Sequence, residues 1–339
     1  MARRPKRQDE TDKLLQAFVR LPKQSQLLIV VVLLAFALIV GGVWLYQHQR
    51  QQAASTPPPV VTPTPKVELP ATLPTTEPVR PKLIQPVSPQ MPLGNPSGAT
   101  ADVANRDNFL LLKPYFALSY NNTRGTPNWV SWTVTAKDIE GSSARKQTFD
   151  PDMTLPGGFK VIQHRDYTNS GFDRGHMCPH SDRDASNETS WATFVMTNII
   201  PQAPDVNQKA WKQLEDYGRR LVGRGNTLCV IAGAFGEGGE GKNGPANVIA
   251  NGRVTVPAWC WKVIVVAKPV AGESVPGIDA GSRVIAILMP NKQGMGEDWK
   301  PYLCTPADIE QKTGYRFFDT LSPEIAAALR AKKDTGGSR

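Results

Sequence analysis

Residues 170–178 read Ser170-Gly171-Phe172-Asp173-Arg174-Gly175-His176-Met177-Cys178. Four consecutive positions hold an acid, a guanidinium, a glycine and an imidazole, in a chain with only 4 histidines. His176 offers a general base that titrates near neutrality, Arg174 a planar fork of phosphate size, and Gly175 a point where the backbone can approach something closely. Whether that something is a ligand depends on what else the chain brings to it.

Downstream, Thr197-Asn198-Ile199-Ile200-Pro201-Gln202-Ala203-Pro204-Asp205-Val206-Asn207-Gln208 places two amides around a proline turn. Asp205 is positioned to cap a helix running through Trp211, Leu214, Glu215, Arg219 and Leu221. Asn207, Trp211, Glu215 and Arg219 follow one another in steps of four, a row that drifts only slowly around a helix. Asn207, Glu215 and Arg219 are therefore candidates to face one cavity. On helix arithmetic alone, a capping Asn207 and a solvated Glu215/Arg219 pair explain the same spacing.

Around these segments the composition is that of a folded α+β protein. Trp129–Val134 (WVSWTV), Thr227–Ala232, Trp259–Ala267 and Arg283–Met289 read as strands, the last two as near-continuous apolar runs of the buried kind. Ser322-Pro323-Glu324 opens a terminal helix with a cap and an acidic first turn. Strands and helices do not alternate regularly, which favours a mixed α+β class over a doubly wound sheet. Gly236–Gly244 (GEGGEGKNG) reads as a flexible loop, because no GK[ST] follows to make it a phosphate cradle.

Before about residue 98 the chain has a different character. Leu27–Tyr46 is twenty residues without a charge and ends in Trp44 and Tyr46. A bilayer-spanning helix needs roughly 20 apolar residues, and an aromatic end suits the membrane interface better than a signal-peptidase site. Residues 1–26 carry Arg3, Arg4, Lys6, Arg7, Lys13, Arg20 and Lys23, whereas only Arg50 follows the span closely. The positive-inside bias then predicts a cytoplasmic tail, an anchor over 27–46, and everything later across the membrane. Residues 47–98 form a Pro/Thr-rich linker, with 13 prolines between 51 and 98. Proline fixes φ and has no N–H to donate, so this segment predicts an extended spacer.

The net charge of +9 is mostly an N-terminal matter: residues 99–339 account for only +3 of it. Composition therefore argues weakly for a phosphate-binding surface on the folded part, and the case must come from local groups. The four cysteines, Cys178, Cys229, Cys260 and Cys304, have no C-x-x-C zinc spacing. In an exported domain an even number suggests disulfides, and Cys260 with Cys304 is the pairing we expect.

Asp173-Arg174-Gly175-His176, then Asn198-x-x-Pro201-Gln202, then Asn207-Gln208-x-x-Trp211-x-x-Leu214-Glu215, in this order and spacing, resembles the sugar-non-specific DNA/RNA endonuclease family that includes mitochondrial endonuclease G. Arg145 ahead of Phe149-Asp150-Pro151, Val256-Pro257-x-x-x-Trp261-Lys262-Val263, and Ile309-Glu310-x-x-Thr313-Gly314 extend the likeness over roughly residues 110–330. The resemblance implies an antiparallel-sheet α+β core with a ββα-metal active site in residues 99–339, and metal-dependent hydrolysis of DNA and RNA. It implies His176 as general base and Asn207 as direct ligand of Mg²⁺, with Mn²⁺ as the alternative. Glu215 would hold the metal's waters, Arg145, Arg174 and Arg219 would contact phosphates, and Asn198 would be an orienting member of the catalytic set. The thiol of Cys178, two residues past the base, has no role in that chemistry, and His164 and His180 read as local polar residues.

With the anchor, these features predict a single-pass, membrane-anchored nuclease whose domain is periplasmic or extracellular. The rival from another class is a catalytically degenerate, membrane-anchored module that binds nucleic acid or an envelope partner. Against it stands the joint presence of His176, Asn207 and Glu215. A related nuclease of narrower structural preference has the same sequence features. On an inhibitor protein, and on a homodimer, the sequence is silent.

Overall fold

The computed structural model describes Pro22, residues 88–270 and residues 276–337. The basic tail, the apolar span 27–46 and the linker as far as residue 87 lie outside the described residues, apart from Pro22. Among the described residues no helix is long and apolar enough to cross a membrane. Met91 and Leu93 are already buried in the core, so the packed body includes residues from 88 onward that we had assigned to the spacer.

The strands are β1 (Phe109–Leu112), β2 (Ala117–Asn121), β3 (Thr126–Val134), β4 (Asp173–His176), β5 (Ile199–Gln202), β6 (Thr227–Phe235), β7 (Gly239–Gly241), β8 (Gly244–Ala246), β9 (Val248–Ile249), β10 (Val254–Thr255), β11 (Trp259–Ala267), β12 (Arg283–Pro290) and β13 (Leu303–Cys304). Seven of them form one antiparallel sheet in the order β1-β2-β3-β6-β11-β12-β13. β-Branched and aromatic residues fill its centre because they pack on a pleated surface covered from both sides. The four strands expected from sequence lie within β3, β6, β11 and β12.

Alternation along each strand divides the core. Val130 and Trp132 of β3 and Ile264 of β11 turn to one face, where they meet Leu214, Tyr217 and Leu221 from the helix Lys212–Gly223. That 3-then-4 spacing is one apolar stripe of a helix. Trp129, Ile231, Trp261 and Val263 turn to the other face, against Ile309, Phe317, Phe318 and Leu329 near the C-terminus. A fully buried tryptophan removes roughly 150–250 Å² from water, worth on the order of 4–6 kcal/mol as an upper bound. A smaller cluster of Ile162, Tyr167, Phe172, Met196, Ile199 and Val256 supports the β4–β5 pair.

Three expectations are corrected here. Gly236–Gly244 is not a featureless loop, since β7 and β8 pair within and just beyond it. All four cysteines are free; Cys260 packs on the first face and Cys304 against the second, so the sheet itself separates the expected pair. Asp205 does not cap its helix: its backbone is already helical, and its carboxylate accepts the Gly294 N–H at 2.8 Å and pairs with Lys209 at 2.9 Å.

Candidate active site

The Asp-Arg-Gly-His stretch is a strand. β4 pairs antiparallel with β5, with Asp173 opposite Gln202 and His176 opposite Ile199, and the chain then enters the helix ending at Gly223. This antiparallel pair followed by a helix has the order of elements that the family resemblance implies. Two buried asparagines hold it in shape. Asn198 Oδ1 accepts the Cys178 N–H at 3.0 Å while its Nδ2 donates to the Cys178 and Thr193 carbonyls at 2.8 and 2.9 Å. Asn291 Nδ2 donates to the carbonyls of Pro201 and Pro257, and its Oδ1 accepts from Ala203 N–H at 2.7 Å, which fixes the exit from β5. Gly175 is explained by packing: a Cβ there would lie 2.3 Å from Gln202 Oε1 and 2.6 Å from Gln202 Cβ. The close approach read from sequence is therefore to the neighbouring strand.

Between β5 and the regular helix, Val206–Trp211 forms a wider π-turn. Such insertions cluster at functional sites because they turn a side chain out of helical register. Here Trp211 goes into the core, while Asn207, Glu215 and Arg219 line a cleft of about 300 Å³ together with Arg145, Arg174, His176 and His180. The steps-of-four row is thus only partly on one surface.

His176 is 8% exposed, and its Nε2 is buried without a hydrogen-bond partner. Its ring packs against those of Phe194 and Phe149, at 4.7 and 5.0 Å between centroids, and the two phenyl rings touch each other. Burial, reinforced by His180 and Arg145, pushes its pKa down to about 3. Burial thus favours the neutral imidazole at pH 7, the form that can accept a proton, although Nε2 itself is closed off from solvent.

Asn207 Nδ2 donates to Asp173 Oδ2 at 2.9 Å, and Gln208 Nε2 donates to the same oxygen at 2.7 Å. Asp173 thereby fixes the amide so that its carbonyl oxygen is the atom left for a cation. Glu215 accepts from Lys262 Nζ at 3.2 Å. Lys262, only 2% exposed, rises from β11 with its ammonium 4.1 Å from the centre of the Trp211 ring. Burial raises the Glu215 pKa, against the opposing effect of Lys262.

Among the described residues no group of three or more His, Cys, Asp or Glu side chains converges on a metal position. The donor set is one amide oxygen with a carboxylate on the same helix. That suits a hard ion that keeps most of its waters, such as Mg²⁺, and does not suit zinc.

The arginines are less available than their positions promised. Arg174 spends Nε and Nη2 on the His164 carbonyl, at 3.1 and 2.7 Å. Arg219 is held by Asp182 at 2.9 Å and by Asp216; burial works against its charge, but Asp182 and Glu215 more than offset that. Arg145 is the exposed one, with Nη1 3.0 Å from His180 Nε2. Asn198 is not in the cleft, and its amide is consumed in holding the backbone after His176. Cys178 is wholly buried in the core, its thiol pushed up by burial. His164 lies outside the cleft, its Nδ1 accepting from Phe149 N–H at 3.2 Å, whereas His180 lines the cleft beside the base. Sequence reasoning gave Asp173 and Lys262 no role. Lys262 carried a signal all the same, as a lone charge inside an otherwise apolar buried strand.

His176 and Asn207 thus line one cleft between an antiparallel strand pair and the helix that follows it. The family described as DNA/RNA non-specific endonuclease matches residues 95–324, and the chain belongs to it. A nuclease from Nostoc sp. is 41% identical over 248 residues, covering 73% of this chain and 87% of that protein. The human mitochondrial nuclease EXOG is 31% identical over 211 residues, 60% of this chain and 55% of the relative. Among solved structures, a chain from the EndoG/EndoGI complex superposes with a TM-score of 0.52 at 26% identity, covering 66% of this chain and 91% of that one. The protein is an endonuclease with the antiparallel-sheet core of that fold.

Proposed function

We propose that the cleft hydrolyses phosphodiester bonds of DNA and RNA without marked sequence specificity, with His176 as general base and Asn207 as the direct protein ligand of Mg²⁺, or of Mn²⁺ in its place. The observation that carries the reading is that Asp173 occupies the Asn207 amide nitrogen, leaving its oxygen, on the same cleft that His176 lines. His176 takes a proton from water as the water oxygen bonds to phosphorus. The bond from phosphorus to the leaving sugar oxygen breaks, that oxygen takes up a proton from solvent, and a phosphate monoester and a hydroxyl result, His176 returning its proton to solvent afterwards. The cation, when bound, supplies charge stabilisation at the phosphate and the leaving oxygen. Glu215 orients the waters around it, and Lys262 fixes the carboxylate that does so. Arg145 is the arginine positioned to take a phosphate oxygen, while Arg174 and Arg219 shape the wall through their bonds to the chain and to carboxylates.

From the sequence we also infer that residues 27–46 anchor the enzyme, with the nuclease domain in the periplasm or outside the cell. Incubating the full chain with supercoiled plasmid and with RNA tests the catalytic reading. Cleavage of both in Mg²⁺, lost with EDTA and in Asn207→Ala, is expected. Retardation of DNA without nicking would favour the non-cleaving module.

A further inference from the structure

A nucleic acid that places one phosphate beside His176 continues in both directions, because a strand carries a charge for about every 3.4 Å of duplex axis. On the Arg174 side the cleft is bordered by a second hollow of about 370 Å³ that shares Arg174 with it. A third hollow, of about 500 Å³, shares Thr168 and Ser170 with the second. The three hollows adjoin one another through these shared residues, a row of polar depressions, or groove, that starts at the cleft lined by His176.

The chemistry of its wall is that of phosphate contact. Thr168 and Ser170 bring hydroxyls, Asn169 and Asn251 amides, and Arg165 and Lys242 cations. Hydroxyls, amides and basic side chains are the groups through which proteins position a nucleic-acid backbone. Tyr167 and Phe172, the aromatic residues of the groove, are buried, so no ring is offered for base stacking. The carboxylates of the groove are engaged: Asp173 by the Asn207 and Gln208 amides, and Asp166 by Gln163 N–H and by Arg253 at 3.6 Å. Arg165 and Lys242 are exposed, and among the described residues neither pairs with a carboxylate.

We propose that this groove is an extended substrate site that grips the phosphate backbone flanking the scissile bond, with Arg165 and Lys242 as its two charge contacts. The proposal rests on the reading of the His176 cleft as the hydrolytic centre. It gives the protein a means to favour long polymers over fragments without reading bases, which a net charge concentrated in the N-terminal tail does not supply.

The test is the double variant Arg165→Gln/Lys242→Gln of the full chain, assayed on plasmid-length duplex and on a trinucleotide too short to leave the cleft. A matched control, Arg224→Gln/Lys268→Gln, removes the same charge at the far end of the site helix. The groove variant should show a KM for long duplex raised roughly tenfold, and a log–log salt dependence shallower by about 2, one for each lost phosphate contact. Trinucleotide kinetics should change far less, and the control should resemble the wild type. An unchanged KM and salt slope would overturn the proposal, as would an equal loss on the trinucleotide or in the control. If the wild type cleaves neither substrate, the catalytic reading has failed; wild-type cleavage with an indifferent groove variant fails the groove alone.

Discussion

The two faces of the central sheet are packed to different ends. On the face carrying the C-terminal helices, polar groups close on one another: Glu310 Oε1 accepts Phe317 N–H at 2.6 Å and Arg330 Nε at 3.0 Å, and Thr305 and Asp308 cap the same helix reciprocally. On the face carrying the site helix, charges and polar atoms are buried with work left to do. Lys262 is driven up between Trp132 and Trp211 to reach Glu215, and His176 Nε2 and His180 Nδ1 have no partner. An unsatisfied buried polar atom costs about 1–3 kcal/mol; the far face carries one too, in Trp261 Nε1, but the buried charges and titratable groups are on the site face. The difference teaches where substitutions should cost folding and where they should cost chemistry.

The largest effect expected on the far face is Trp261→Ala. Trp261 is fully buried with Phe317 at 5.4 Å and Tyr315 at 6.1 Å between ring centroids. Its loss should destabilise by about 3–5 kcal/mol in urea unfolding, with turnover per folded molecule unchanged. A matching loss of turnover would erase the division between faces.

On the site face Asp173→Ala should do the reverse. It frees the Asn207 amide, and removing a group that orients a metal ligand costs about 10–100-fold in metal affinity or activity. Mg²⁺ binding followed by calorimetry should weaken while the unfolding midpoint stays near wild type.

Smaller still is the pH response. The folded pKa of His176 is lowered to about 3, whereas the unfolded chain titrates near 6.5. The folded state therefore binds fewer protons, and the stability associated with neutral His176 is complete above about 6.5 and is lost as pH falls toward 3. His164 and His180 are lowered too, through burial first. Unfolding free energy should fall between pH 6.5 and 4.5 by at most about 1.4 kcal/mol per unit for each such proton, and less steeply in His176→Gln.

The smallest effect is that of Glu310→Gln, which weakens a largely buried pair and should cost about 1 kcal/mol with no change in kcat or KM.

What was legible in the sequence follows from how many neighbours each element needs. β11 and β12 were readable because eight or nine residues of nearly unbroken apolarity have no other home. β4 was not read as a strand, because Asp173-Arg174-Gly175-His176 shows no apolar alternation; it is a strand because Ile199–Gln202 lies beside it. The π-turn at Val206–Trp211 broke the four-residue row, and a local winding of this kind leaves no mark in periodicity. His176, Asn207 and Glu215 were found because their spacing matched a known pattern, and the cleft brings all three together. The three arginines line the cleft, but a sequence does not show that the His164 carbonyl and Asp182 already hold Arg174 and Arg219.

The account turns on His176 acting as a base from a position that folding does not need. The most direct test is kcat for plasmid cleavage by His176→Ala, measured in Mg²⁺ beside the thermal midpoint of the same preparation. We predict a fall of roughly 10³-fold or more in kcat with a midpoint equal to or above that of the wild type. Cleavage within a few-fold of wild type by a folded His176→Ala protein would contradict it.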